Sequence, residues 1–195
     1  MGESGTRTPR ERYRAQVQEE IKRHAWGQIA TAGASALSLN AIAKQMGMSG
    51  PALYRYFANR DELITELVRD AYRSLADTFA ARAEAGTDLG GLADALRRWA
   101  LDDPQRYFLV YGTPVPGYRA PEDTARIAAE IMAHLLDACA AEHPAPSSAL
   151  GRALAFWTRL HGVLSLELAG HFTGMGFDPA VLYADEVRAL GGQWG

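Results

Sequence analysis

The sequence predicts an all-α protein of about nine helices, and three observations carry that expectation. Valine and isoleucine are sparse, and no alternating apolar–polar stretch is long enough for a strand. Alanine and leucine are the commonest residues and arginine and glutamate are well represented, all of which tolerate a helix well. Apolar residues recur three and four apart between Ser/Thr/Asp/Asn or proline starts and glycine stops. The predicted organisation is a small N-terminal helix-turn-helix domain of three helices over residues 1–62 and a C-terminal helical domain over residues 63–195.

Helix 1 has clear punctuation. Thr8 is placed as N-cap, Pro9 as the first helical residue, and Glu11 three after the cap completes a capping box. Val17, Ile21, Ala25 and Ile29 form its buried stripe, and Gly33 ends it. Ser38 caps a short second helix carrying Leu39, Ile42, Ala43 and Met46, stopped by Gly47. Ser49 caps a third helix expected to reach Phe57. Asn59 and Glu62 make a second capping box, opening a long helix through Leu63, Leu67, Ala71, Leu75 and Phe79 that Gly86 closes.

A helix after Thr87 carries Leu92, Leu96 and Trp99. Asp103-Pro104 starts a short one that runs to Tyr111. Three prolines and two glycines make 112–121 a loop. Helix 7 shows Ile127, Ile131, Leu135 and Ala138, and a break is expected at 143–147. Helix 8 is read with Leu150, Leu154, Trp157, His161, Leu164, Leu168 and Phe172 on one stripe. Asp178-Pro179 starts the last helix, with Val181, Leu182 and Val187, and Gly191-Gly192 ends it.

Composition excludes several function classes. The single cysteine, Cys139, allows no internal disulfide and no multi-cysteine metal site. No apolar run approaches the roughly 18 residues of a membrane span. The polar, basic N-terminus is no secretory signal, so a cytoplasmic protein without membrane contact is expected. The five histidines have no metal-ligand spacing, so no metal is expected. No P-loop, dinucleotide-binding glycine motif or serine elbow is present, so neither a cofactor nor an enzyme is expected. The charge is uneven: residues 1–60 hold nine Lys/Arg against four Asp/Glu, and the remainder eleven against nineteen. A basic head on an acidic body suits a polyanion at one end.

Residues 39–58, LNAIAKQMGMSGPALYRYFA, have what a helix-turn-helix requires. Ala43 is small where two helices cross, and Gly47 occupies the turn. Ile42, Met46, Met48 and Leu53 are apolar pegs, and Ser49 caps the second helix. The outward residues Gly50, Pro51, Ala52, Tyr54, Arg55 and Tyr56 are small or flat, so the helix can enter a major groove with its N-terminus toward phosphate. The rival readings are a ligand-binding or sequestering protein whose helix-turn-helix is vestigial, and a small helical enzyme using His161 with Glu167.

From about Val17 to Leu67, most specifically from Leu39 to Leu63, the sequence resembles the TetR family of bacterial transcriptional regulators. Ser49-Gly-Pro-Ala-Leu-Tyr-Arg-Tyr-Phe and Asn59-Arg-Asp-Glu-Leu63 carry the likeness. The resemblance implies a homodimer that binds a palindromic double-stranded operator and responds to a small-molecule effector, as a repressor. It implies phosphate contacts from Ser38, Ser49, Gly50, Tyr54, Tyr56 and Arg60. It implies base contacts from Pro51, Ala52 and Arg55, with Pro51 departing from the family's usual threonine or serine. Arg7, Arg10 and Arg12, placed before helix 1, would add backbone or minor-groove contacts. Trp157-Thr-Arg-Leu-His161-Gly162 resembles the WHG-type C-terminal domain of a family subgroup. Trp157 and His161 share a helix face, which fits core packing, a pocket floor or a dimer interface. Trp99, Tyr107, Phe108 and Tyr111, near a proline-rich loop that would gate entry, complete the effector-site candidates. The last two helices would pair with their copies in the dimer.

Overall fold

The computed structural model describes residues 8–142 and 146–192. Among them lie nine α-helices and no strand: α1 (Pro9–Ala32), α2 (Leu39–Gln45), α3 (Gly50–Leu53), α4 (Arg60–Glu84), α5 (Leu89–Asp102), α6 (Pro104–Tyr111), α7 (Glu122–Glu142), α8 (Pro146–Leu168) and α9 (Pro179–Gly192). A single 3₁₀ turn, Ala34–Ala36, follows α1. The chain forms two compact units. One runs up to Val68 and includes the loop Pro114–Ala120. The other comprises Arg69–Thr113 and the chain from Pro121 onward.

In the first unit, α1 opens as its residues dictate. Thr8 accepts from the Glu11 N–H, and the Glu11 carboxylate takes the Thr8 N–H at 2.7 Å. Val17, Ile21, Ala25 and Ile29 are its buried stripe. α2 packs on both α1 and α3. It ends in a Schellman motif: the Met48 N–H reaches the Ala43 carbonyl at 2.9 Å and the Gly47 N–H reaches Lys44 at 3.3 Å. Gly47 sits at φ +65°, which a side chain would resist. α4 starts on Asn59, whose side chain accepts the Glu62 N–H at 2.8 Å. The expected box is altered there, because the Glu62 carboxylate takes the N–H of Ala58 rather than of Asn59. The long side chain reaches one residue further back.

The proline-rich loop begins directly after Tyr111. Its central residues group with the first unit, and the Tyr118 hydroxyl meets Thr65 Oγ1 of α4 at 3.2 Å. α3 is also shorter than predicted, spanning four residues before turns that reach Phe57.

In the second unit α5 is the hub, packing against α6, α7, α8 and α9. Its Leu92, Leu96 and Trp99 share one core with Phe79, Ile131, Leu135, Phe156, Leu160 and Tyr183. Asp88 and Asp103 cap α5 and α6 through the N–H groups of Gly91 and Arg106. Cys139, not Ala138, continues the α7 stripe after Leu135, because the buried face advances by four at that turn. Arg152 is buried against Glu142 at 2.7 Å, and burial pushes the neighbouring Cys139 thiol up.

Helix α8 departs most from expectation. Its buried stripe is Ala149, Ala153, Phe156, Leu160, Val163 and Leu164. Leu150 and Leu154 are 53% and 47% exposed, and Phe172 lies beyond the helix end. Large apolar residues stand on two faces of α8, and periodicity alone does not say which one the chain itself covers. Likewise Val181 of α9 is exposed while Tyr183 and Leu190 are buried. α9 continues through both glycines, which permit a left-handed stop without forcing one. Part of the break expected at 143–147 lies outside the described residues, and α8 is already under way at Pro146.

Candidate DNA interface and effector site

The segment that follows the Gly47 turn is held from below and open above. Leu53 and Phe57 are buried, with 0% and 2% exposure. Ser49, Pro51, Tyr54 and Arg55 are exposed, and Gly50, Ala52 and Tyr56 are half-buried. Ser49 holds the N-cap position, yet its hydroxyl makes no capping bond. An N-cap side chain takes the second or third N–H of its helix. Here proline supplies no second one, and the Ala52 N–H goes to the Ser49 carbonyl at 3.0 Å. The Ser49 hydroxyl is therefore free for another acceptor or donor. A single turn of helix adds little dipole, so the expected contribution of the helix N-terminus is small. Side chains must supply most of this surface's chemistry.

Four side chains fix the segment's surroundings. Gln28 clasps the backbone of Ser38 from both sides, accepting its N–H at 2.9 Å and donating to its carbonyl at 3.4 Å. Ser38 itself caps α2 by accepting the Ala41 N–H. Arg14 of α1 donates to the Arg55 carbonyl at 3.0 Å, and its guanidinium stands 5.3 Å from the centre of the Tyr56 ring. Arg60 turns inward, donating to the carbonyls of Ala34 and Ser35 at 2.9 and 3.3 Å. Arg10 and Arg12 lie on α1 rather than before it, since the capping box starts the helix at Pro9, and Arg7 lies outside the described residues.

In the second unit, the six proposed effector residues gather in one aromatic cluster. His161 is the centre: its ring lies 4.3 Å from Trp157, 4.4 Å from Tyr111 and 5.5 Å from Tyr107, measured between centroids. Trp99 packs 6.4 Å from both tyrosines. Phe108 joins the same core, its ring 5.6 Å from that of its chain neighbour Tyr107, without reaching His161. The Tyr107 hydroxyl lies 3.0 Å from His161 Nδ1 and 2.8 Å from the Ser165 hydroxyl. Burial raises the Tyr107 phenol, partly opposed by the Ser165 bond, and raises the Tyr111 phenol strongly. Burial also holds His161 down at about 4, so its imidazole is neutral at pH 7. Glu167 pairs with Arg97 at 2.6 Å, away from the role of orienting His161. An open groove of about 380 Å³ nearby is lined by Ser74, Thr78, Arg82, Arg98 and Arg106, and of the effector candidates Trp99 alone borders it.

Sequence reasoning missed Gln28, Arg14 and Ser165. Ser165 falls four residues after His161 on the same face of α8, a signal that was readable. Gln28 and Arg14 act across 10 and 41 residues of chain, with no local mark.

Among the described residues no helix is long and apolar enough to cross a membrane, and no cluster of three metal-ligating side chains occurs. An all-helical chain with an exposed helix-turn-helix ahead of a helical unit defines a DNA-binding transcriptional regulator. Comparison with known proteins agrees. Residues 21–67 match the profile described as bacterial regulatory proteins, tetR family, and residues 89–190 match a tetracyclin repressor-like C-terminal domain. The second range contains Trp157, His161 and Gly162. The chain is similar to the HTH-type transcriptional regulator Rv1816 of Mycobacterium tuberculosis, with 35% identity across 91% of this chain and 92% of that one. The crystal structure of SCO4313 superposes with a TM-score of 0.90 at 70% identity, covering 94% of this chain and 98% of that one. A TetR/AcrR family regulator from Thermobifida fusca shares the fold, with a TM-score of 0.64 at 19% identity and coverage of 92% and 99%. The chain belongs to the TetR family, whose members are transcriptional regulators rather than enzymes.

Two measurements check this geometry. Arg60→Ala loses its bonds to two backbone carbonyls and is expected to unfold about 1.5–3 kcal/mol more easily in urea, whereas Arg55→Ala leaves stability unchanged. For His161 the unfolded imidazole titrates near 6.5 and the folded one near 4. Stability is full above 6.5 and falls as pH drops toward 4, because in that window the unfolded chain alone gains the proton. His161→Gln is expected to flatten the pH dependence there by up to about 3 kcal/mol, read as the difference between the two unfolding curves.

Proposed function

We propose that the protein is a homodimeric, effector-responsive repressor that binds a palindromic operator through the surface Ser49–Arg55. The supporting observation is the presentation of that surface: Leu53 and Phe57 are buried beneath it while Pro51, Tyr54 and Arg55 project outward. Arg55 is the base-reading candidate, with Pro51 and Ala52 offering apolar contact to thymine methyls. Ser38, Ser49, Gly50, Tyr54 and Tyr56 face phosphate. Arg60 contributes through whichever N–H groups its carbonyl partners leave. The unit containing Trp99, Tyr107, Tyr111, Trp157 and His161 takes the effector, and a protein of this kind works in the cytoplasm, where its operator is.

Dimerisation uses α8 and α9. Leu150, Leu154, Thr158, Gly162 and Leu166 recur every four residues along α8 and are all exposed. With Val181 of α9, they leave apolar surface that a second copy would cover. Effector binding then favours a dimer whose two heads no longer match successive major grooves. It can do so only through its differential affinity for the two states.

The defining experiment is a gel shift or fluorescence anisotropy titration with DNA flanking the protein's own gene. A specific, salt-sensitive complex is expected, and equal affinity for random DNA would leave the ligand-binding reading with a vestigial helix-turn-helix. Arg55→Ala is expected to cost about 1–3 kcal/mol on the operator and to relax base preference, while Tyr54→Phe weakens all sequences alike. Leu154→Arg is expected to give monomers in sedimentation velocity and to lower operator affinity, with the helical circular dichroism retained.

A further inference from the structure

Nearly all buried polar side-chain atoms in proteins find a hydrogen-bond partner, and each exception asks for a reason. The Tyr111 hydroxyl and His161 Nε2 are both buried and have no such partner among the described residues. They belong to touching rings, 4.4 Å between centroids. The same two rings are packed by Trp157, at 5.7 Å from Tyr111 and 4.3 Å from His161. The other side of the imidazole is already occupied, because Nδ1 lies 3.0 Å from the Tyr107 hydroxyl. The ring is thus fixed with one nitrogen to spare, beside one spare hydroxyl, between aromatic faces.

We infer that the effector of this unit is an uncharged molecule with an aromatic body, whose hydroxyl or carbonyl group bonds Tyr111 Oη and His161 Nε2. This rests on the proposal that this unit is the effector domain, and adds the chemistry of the ligand. A hydroxyl can donate to one atom and accept from the other, so it suits either tautomer of the imidazole. Charge is disfavoured for a stated reason. Burial alone accounts for the low proton affinity of His161, with no charged side chain acting on it. The nearby Arg97 and Glu167 act on the Tyr183 phenol instead and are bound to each other. A carboxylate or ammonium group placed here would lose its hydration without meeting a counter-charge.

Three probes with one ring and different charge test this on the full-length protein: benzyl alcohol, benzoate and benzylamine. Tryptophan emission and the thermal midpoint report binding, since Trp157 and Trp99 line the cluster. Benzyl alcohol is expected to bind at least tenfold more tightly than either ion. Tyr111→Phe is expected to weaken the alcohol by about tenfold and to raise the melting temperature of the free protein by about 3 °C, because it deletes an unbonded buried hydroxyl. An equal or better affinity for benzoate or benzylamine, or no binding of any probe, overturns the inference. So does a Tyr111→Phe protein that binds the alcohol as well as the parent or melts at a lower temperature. The probe ranking needs no variant and no DNA. Failure of the parent protein to bind its operator would therefore strike the repressor reading, while the ranking judges the ligand chemistry separately.

Discussion

A helix of four residues has no stability of its own. Its nucleation cost is paid once per helix, and a single turn returns almost nothing against it. α3 therefore exists because Leu53 and Phe57 are buried beneath it and α2 packs beside it. The consequence reaches every outward residue of this segment. Pro51, Tyr54 and Arg55 keep their positions only while the apolar layer under them is intact, so the surface is built by packing rather than by helix propensity. It also explains the residue types above the layer. Pro51 fixes its own φ, and the small Gly50 and Ala52 put little bulk between the helix backbone and whatever approaches it.

Three arginines around the helix-turn-helix, Arg14, Arg55 and Arg60, divide into two kinds. Arg14 and Arg60 spend guanidinium donors on backbone carbonyls, those of Arg55, Ala34 and Ser35. Such charge-assisted bonds contribute more than neutral ones and orient the backbone they grip. The positive charge is not removed by a carbonyl, so both residues still add to the field felt by a polyanion. They act as positioning residues that remain cationic. On the proposed reading, exposed Arg55, whose carbonyl is gripped while its side chain projects, does the discriminating.

What was legible in the sequence was what is decided within a few residues. The Thr8–Pro9–Glu11 start, the Asp103-Pro104 start and the Gly47 stop each involve partners no more than five apart, and each forms as written. The aromatic cluster was legible for a similar reason: Tyr107 and Tyr111, and Trp157 and His161, are four apart on their helices. What was not legible depends on partners far along the chain. The register of α8 is the clearest instance, because Leu150 and Leu154 are as apolar as Phe156 and Leu160. Nothing in the spacing tells which face α5 and α7 will cover. Glu142 and Glu167 look like solvated charges until Arg152 and Arg97 are brought to them across 10 and 70 residues of chain.

The double-faced character of α8 has a physical consequence for regulation. Trp157, His161 and Ser165 fall between its buried stripe and its exposed stripe, at a spacing of four. The exposed Gly162 follows His161 directly, so the ring that touches Tyr111 and the point where another backbone can approach most closely are one residue apart. On the proposed reading, an effector that displaces Tyr111 or Tyr107 of α6 pushes on a rigid, packed helix. Cores of this density do not absorb such a push by compression, and they shift as units. The effector and the second copy would therefore compete for the position of the same helix. The free energy coupling them is bounded by the difference in effector affinity between the two placements of α8. A site built of neutral, buried aromatic groups is suited to this, because small displacements of flat rings change contact area steeply while leaving no charge to be resolvated.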